Sequence, residues 1–173
     1  ASNCDKYSDH SLHDLFRNEN ISVIDLFAGA GGLSEGFRQA GCNIVCGTDS
    51  DPDALSTYCH NFPHAQTICG DIRKPEVRES LIEYGKTANI VVGGPPCQAF
   101  SQVRNHERII DDPRNSLYRE FVSILSRLTP DAFVMENVTG IDQMNVREQI
   151  SKDLALDGHY IVLPQVLDSS DFG

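Results

Sequence analysis

Short apolar runs alternate with segments of helical periodicity along nearly the whole chain, and this alternation restricts the fold more than any other feature. The run ISVIDLF (21–27) leads into a segment with Leu33, Phe37 and Ala40 on one helical face, stopped by Gly41. NIVCGT (43–48) precedes a helix starting at Pro52, which aligns Leu55, Tyr58, Cys59 and Phe62 and ends at Pro63. AQTIC (65–69) is followed by a helical stretch over roughly 75–84, and NIVV (89–92) opens a long loop. Leu117, Phe121, Ile124, Leu125 and Leu128 then recur at helical spacing before Pro130. DAFVME (131–136) leads to a helix with Val146, Ile150 and Leu154, ended by Gly158, and YIVLPQVL (160–167) reads as a last strand. Pro164 within that run assigns it to an edge or a bulge. Strand, helix, strand repeated in this way predicts right-handed crossovers and an α/β fold with a mostly parallel, doubly wound sheet. Ligands in such sheets bind outside the carboxyl ends of the strands, so candidate residues are sought there.

With 173 residues and no internal repeat or linker, the chain is expected to form one domain over 21–173, preceded by a polar segment, 1–20, of unassigned role. No apolar run approaches the roughly 18–20 residues of a membrane span, and the first residues do not form a signal peptide. Lys and Arg number 14 against 25 Asp and Glu, a net charge of −11 that by itself argues against a nucleic-acid partner. The six cysteines have no zinc-ligand spacing, and Cys42, Cys46, Cys59 and Cys69 read as small core residues of a reducing compartment.

The strand ends carry the chemistry. After the first strand, Phe27-Ala28-Gly29-Ala30-Gly31-Gly32 forms a Gly-rich turn into a helix, where the backbone can approach a ligand closely. Ser34 stands where a dinucleotide fingerprint would place its third glycine, which argues against a nicotinamide dehydrogenase. Asp49 ends the second strand, placed either to accept from ribose hydroxyls or to cap the next helix in competition with Asp51. Asp71 ends the third strand as a turn residue or as an acceptor for an adenine amino group. The fourth strand runs into Gly93-Gly94-Pro95-Pro96-Cys97-Gln98-Ala99-Phe100-Ser101, whose prolines hold Cys97 outside the sheet. Glu136 ends the fifth strand after Phe133, Val134 and Met135, and a partly desolvated carboxyl group suited to proton donation is expected there. If the fourth and fifth strands are neighbours, Cys97 and Glu136 meet. From 98 to 119 the chain carries Arg104, Arg108, Arg114 and Arg119 against three acids, a net +1 in an otherwise acidic protein.

Asp25-Leu26-Phe27-Ala28-Gly29-Ala30-Gly31-Gly32, Gly93 to Ser101 and Glu136-Asn137-Val138 together resemble the ordered motifs of the cytosine-5 DNA methyltransferases. The resemblance runs from about residue 21 to 173, and the Pro-Cys-Gln element is its most specific part. It implies a Rossmann-like fold that binds S-adenosylmethionine and releases S-adenosylhomocysteine, without a metal. Phe27, Ala28, Gly29, Gly31, Gly32 and Leu33 would contact the cofactor, Asp49 and Ser50 its ribose side, and Asp71 its adenine amino group. Ile72, Pro96 and Leu117 would line the pocket. Ser50 replaces a large aromatic residue common in the family, which implies weaker adenine stacking. Cys97 would attack C6 of a cytosine flipped from double-stranded DNA, with Glu136 holding N3 and the amino group. Gln98, Ser101, Arg104 and Asn137 would serve the DNA side, Asn137 by supporting the turn that positions Glu136.

The same resemblance implies a bacterial restriction-modification enzyme of the cytoplasm, associated with the nucleoid. The family's target-recognition domain and closing motifs are expected beyond Gly173, in the same polypeptide or on a second subunit, and the basic surface with them. Two alternatives accompany this reading: a tRNA cytosine-5 methyltransferase of the same family, and a non-catalytic scaffold subunit.

Overall fold

The computed structural model describes residues 21–96, 115–137 and 144–172. Five strands form one sheet: β1 (Ser22–Leu26), β2 (Asn43–Asp49), β3 (Gln66–Cys69), β4 (Ile90–Gly93) and β5 (Ala132–Met135). All pair in parallel, in the order β3-β2-β1-β4-β5. The order reverses between β1 and β4, which opens a crevice at the carboxyl edge between the two halves. The helices are α1 (Gly32–Gln39), α2 (Pro52–Asn61), α3 (Pro75–Gly85), α4 (Ser116–Leu128) and α5 (Met144–Leu154).

Alternation along β1 sends successive side chains to opposite faces. Val23 joins Ile44, Leu55, Tyr58, Phe62 and Val92 in the core beneath α1 and α2. Ile24 and Leu26 join Leu81, Val91, Tyr118, Phe121, Leu125, Val146 and Ile150 in the larger core beneath α3, α4 and α5. One register shift, between Val23 and Ile24, leaves an extra residue on β2. Gly93 permits the tight β1–β4 pairing: a Cβ built there would lie 2.3 Å from the Leu26 carbonyl oxygen. Across the α3–α4 seam, Arg78 pairs with Glu120 at 3.1 Å and Arg127 with Glu79 at 3.1 Å.

Helix ends follow the expected local chemistry. Asp51 caps α2 by accepting from the Asp53 and Ala54 N–H groups at 2.9 and 3.3 Å, with Pro52 at the first helical position. Gly41 and Gly158 both take positive φ, 91° in each case, after α1 and α5.

Three expectations are corrected. Cys46 is buried and Cys42 half-buried, but Cys59 and Cys69 are exposed. Cys69 ends the edge strand β3, and Cys59 lies on α2 with Sγ 3.1 Å from Thr67 Oγ1. The run 160–167 is not a strand. Tyr160 is anchored by an O–H donated to the Pro130 carbonyl at 2.7 Å and by edge-on packing against Phe133. Beyond it Ile161 and Leu163 are 90% and 77% exposed, because no described strand pairs with this segment. No helix among the described residues is long and apolar enough to cross a membrane. Glu136, the third case, belongs to the site.

Candidate active site

The turn between β1 and α1 owes its path to three left-handed residues, Phe27 (φ 61°), Gly29 (φ 53°) and Gly31 (φ 99°). A non-glycine residue in this region is strained by about 1 kcal/mol. Phe27 is held there by packing against the larger core. The two glycines differ in what surrounds them. A Cβ on Gly29 would meet nothing within 4 Å, whereas one on Gly31 would lie 2.3 Å from Phe62 Cε2. The turn is therefore filled from beneath at Gly31 and open at Gly29.

Asp49, half-buried at the end of β2, ties this turn to its neighbour. Its Oδ2 accepts the Gly29 N–H at 2.8 Å and its Oδ1 accepts the Asp51 N–H at 2.9 Å. Ala28 N–H donates to the Thr48 carbonyl at 2.9 Å, and Gly70 N–H to the Asp49 carbonyl at 2.9 Å. Three strand ends are thus joined by backbone donors. Since Asp51 caps α2, Asp49 is not the capping residue, and each of its oxygens keeps acceptor capacity.

Asp71 accepts the Arg73 N–H at 2.9 Å, as a turn residue does, and its carboxylate is also gripped by the Arg73 guanidinium at 2.7–3.1 Å. Those hydrogen bonds hold its pKa well below the usual carboxylate range, at about 2. Next to it Ile72 is buried, while Ser50 and Pro96 are exposed and Leu33 and Leu117 half-buried.

On the other side of the crevice β4 and β5 run side by side, with Gly93 opposite Met135. Glu136 N–H donates to the Gly93 carbonyl at 3.0 Å, and Asn137 Nδ2 donates to the Pro95 carbonyl at 2.9 Å. The Glu136 carboxylate lies against Gly94, where a Cβ would be 3.0 Å from Oε2. Glu136 is exposed, so the desolvation expected from its three apolar predecessors is absent. Of those predecessors Val134 is itself 42% exposed, because β5 is an edge strand. Cys97, Gln98, Ser101 and Arg104 lie outside the described residues. The two prolines that precede Cys97 are described, and Pro95 is the one tied to Asn137.

One buried group was not singled out as a site residue by its sequence position. Asp25, on β1, is fully buried and accepts Ser34 Oγ–H at 2.7 Å, and Ser34 Oγ lies 2.9 Å from Tyr58 Oη. The signal available was a lone carboxylate inside the apolar run ISVIDLF.

A parallel sheet with its switch point above a Gly-rich turn, and acids at the ends of β2 and β3, defines a Rossmann-like domain of the S-adenosylmethionine-dependent methyltransferase type. A crystal structure described as a DNA modification methyltransferase from an E. coli prophage superposes with a TM-score of 0.62 at 34% identity, covering 78% of this chain and 38% of that one. S. pombe Dnmt2 methyltransferase shares the fold, with a TM-score of 0.60 at 23% identity over 80% of this chain and 41% of its own.

The C-5 cytosine-specific DNA methylase family model matches residues 21–173, and the chain belongs to that family. It is 38% identical over 157 residues to type II methyltransferase M.XorII of Xanthomonas oryzae, covering 87% of this chain. It is also 38% identical over 158 residues to M.DdeI of Desulfomicrobium norvegicum, covering 88% of this chain. The chain spans 37% of the length of each of these relatives.

Proposed function

We propose that the protein transfers a methyl group from S-adenosylmethionine to C5 of a cytosine flipped out of double-stranded DNA, as part of a bacterial type II modification system. The observation that carries this reading is the pairing of β4 with β5: Glu136 and the turn that leads to Cys97 leave the sheet together, on the same edge as Asp49 and Asp71.

The residues present fit the cofactor. The turn is open at Gly29, so a ligand can approach its backbone as a side chain cannot. Asp49 retains lone pairs for ribose hydroxyls, and Asp71 is the acceptor for the adenine amino group. Phe27, Ala28, Gly31, Gly32 and Leu33 would contact the cofactor from the turn, and Ser50, Ile72, Pro96 and Leu117 would line its pocket. Bound S-adenosylmethionine supplies an electrophilic methyl group on a sulfonium sulfur.

An aromatic pyrimidine resists alkylation at carbon, and covalent addition removes that resistance. The Cys97 thiolate adds to C6 of the flipped base, while Glu136 holds N3 and the exocyclic amino group, and electron density moves to C5. C5 would then accept the methyl group supplied by the cofactor that Asp49 and Asp71 would hold, with the electron pair of the broken bond left on sulfur. Loss of the C5 proton to a solvent water and elimination of the Cys97 thiolate restore the aromatic ring. A free thiol has a pKa of about 8.5, so the site must favour the thiolate. Asn137 keeps the two halves of the pair in register through Pro95. Gln98, Ser101 and Arg104, on the segment after Cys97, meet the DNA. Their contacts offset the few kcal/mol that flipping costs. The remaining DNA-reading surface belongs to the part of the enzyme that the longer relatives possess and these 173 residues do not span.

The test is incorporation of labelled methyl by the full-length protein, offered DNA and tRNA side by side. Label appears in DNA as 5-methylcytosine, and Cys97→Ala lowers the rate by at least about a thousandfold. Label in tRNA alone, or an unchanged rate in the Cys97→Ala variant, overturns the reading.

A further inference from the structure

The chemistry above leaves one charge unused. The Asp25 carboxylate is buried on β1, beneath the Gly-rich turn, on the face that α1 and α2 cover. It accepts the Oγ–H of Ser34, in the first turn of α1, at 2.7 Å. The N-cap of that helix, Gly31, has no side chain of its own to offer. Ser34 spends its only hydroxyl proton on Asp25, so Tyr58 is the donor to Ser34. Asp25 Oδ1 has no hydrogen-bond partner among the described residues, although it is inaccessible to water.

Among the described residues, the groups that face Asp25 are all neutral or negative. From α1 there is Ser34, from α2 Tyr58, and from β2 Asp49, whose charge acts on it unfavourably. Its other strand partners are Gly47 and Val92. Desolvation raises the carboxyl to about 6. A buried anion with one orphan oxygen and no cation among the described residues calls for positive charge from elsewhere, beyond the partial charge at the start of α1.

We propose that Asp25 is the buried counter-charge for a cationic ligand on the turn 27–32, and that it makes the turn prefer the sulfonium cofactor to its neutral thioether product. This inference rests on the S-adenosylmethionine reading. The two ligands share adenosine, ammonium and carboxylate groups and differ only in the methyl group and the charge on sulfur. When the methyl leaves, sulfur keeps the electron pair of the broken bond and becomes neutral. The attraction to Asp25 is lost in that step, which favours product release.

Titration calorimetry on the full-length protein separates this role from a structural one. Asp25→Asn keeps the shape and the acceptor for Ser34 but removes the charge. S-adenosylmethionine then binds about tenfold more weakly, and S-adenosylhomocysteine changes by less than about twofold. Equal weakening of both overturns the inference and leaves the cofactor reading standing. Failure of the wild-type protein to bind either ligand overturns the cofactor reading and the inference with it. A second measurement needs no variant. Near pH 6, where Asp25 is partly protonated, the cationic ligand favours the ionised carboxyl and drives proton release. In two buffers of different ionisation enthalpy the wild-type protein releases protons with S-adenosylmethionine and none with S-adenosylhomocysteine. Equal release with both also overturns it.

Discussion

The two margins of the sheet are built on opposite principles. At the carboxyl ends of β1, β2 and β3, polar groups of the turns are satisfied by one another. Gly29 and Asp51 donate to Asp49, Gly70 to its carbonyl, and Ser34 to Asp25. Beyond β5, apolar residues face water: Val134 is 42% exposed, Ile161 90%, Leu163 77%, Val166 60% and Leu167 68%. An open groove of about 500 Å³ lies there, between α5 and the segment containing Val162 and Pro164. Apart from Asp25 Oδ1, the polar groups of the first margin find their partners within it; the second has side chains suited to burial with nothing described to bury them. Stability and cofactor binding should therefore be sensitive at the first margin and indifferent at the second.

Gly31 is where the first margin breaks most completely. Gly31→Ala combines an unfavourable φ of 99° with a Cβ 2.3 Å from the buried ring of Phe62, on which Tyr58 also packs at a 4.7 Å centroid distance. The ring cannot move without disturbing Tyr58 and its bond to Ser34. A loss of at least about 3 kcal/mol is expected in urea unfolding. Gly29→Ala, in the same turn with open space around it, loses about 1 kcal/mol from backbone strain alone. Equal losses at the two positions would mean that steric support from α2 does not set the turn.

This contrast also explains what the sequence disclosed. Local chemistry was legible: the left-handed glycines after β1, Asp51 with Pro52 at the start of α2, and Gly41 and Gly158 at helix ends all act within a few residues of themselves. The parallel sheet followed from repeated strand–helix alternation, and its order brought the Glu136 and Pro95-Pro96 stretches together as expected. What escaped depends on distant partners. Asp25, Ser34 and Tyr58 meet only because β1, α1 and α2 pack together, although Ser34 had already stood out as the residue that breaks the dinucleotide fingerprint. Cys69 ends an apolar run and Cys59 aligns with Leu55, Tyr58 and Phe62 at helical spacing, yet α2 and the edge strand β3 turn both to solvent. The apolar run 160–167 signals a strand, but a strand exists only where another offers its backbone.

The second test exploits the one charge buried at the first margin. Asp25 titrates at about 6 in the folded protein against 3.8 for an unperturbed carboxyl, so between those values the folded state binds more protons than the unfolded chain. Its contribution to stability is therefore greatest below pH 4, falls by about 2–3 kcal/mol as pH rises to 6, and stays low above that. Lowered carboxyls such as Asp71 act in the opposite direction, but they are common to wild type and variant and cancel in the difference. Asp25→Asn lacks the fall. Urea unfolding at intervals from pH 4 to 7 should show the variant gaining on the wild type until near pH 6 and running parallel afterwards. A constant difference would mean that the Asp25 carboxyl titrates alike in the folded and unfolded chains.

The smallest expected effect is at the second margin, and its smallness is the point. Leu163 is 77% exposed in a stretch that makes no strand, so Leu163→Ser in the 173-residue chain removes a side chain already in contact with water. Unfolding free energy should change by no more than about 0.5 kcal/mol, against several kcal/mol for a leucine removed from a core. Leu125, fully buried on α4 against the same sheet, supplies the reference: Leu125→Ala should lose about 2–5 kcal/mol. If Leu163→Ser approached that value, the segment would be packed in solution, and the difference between the margins would lie in their chemistry rather than in their burial.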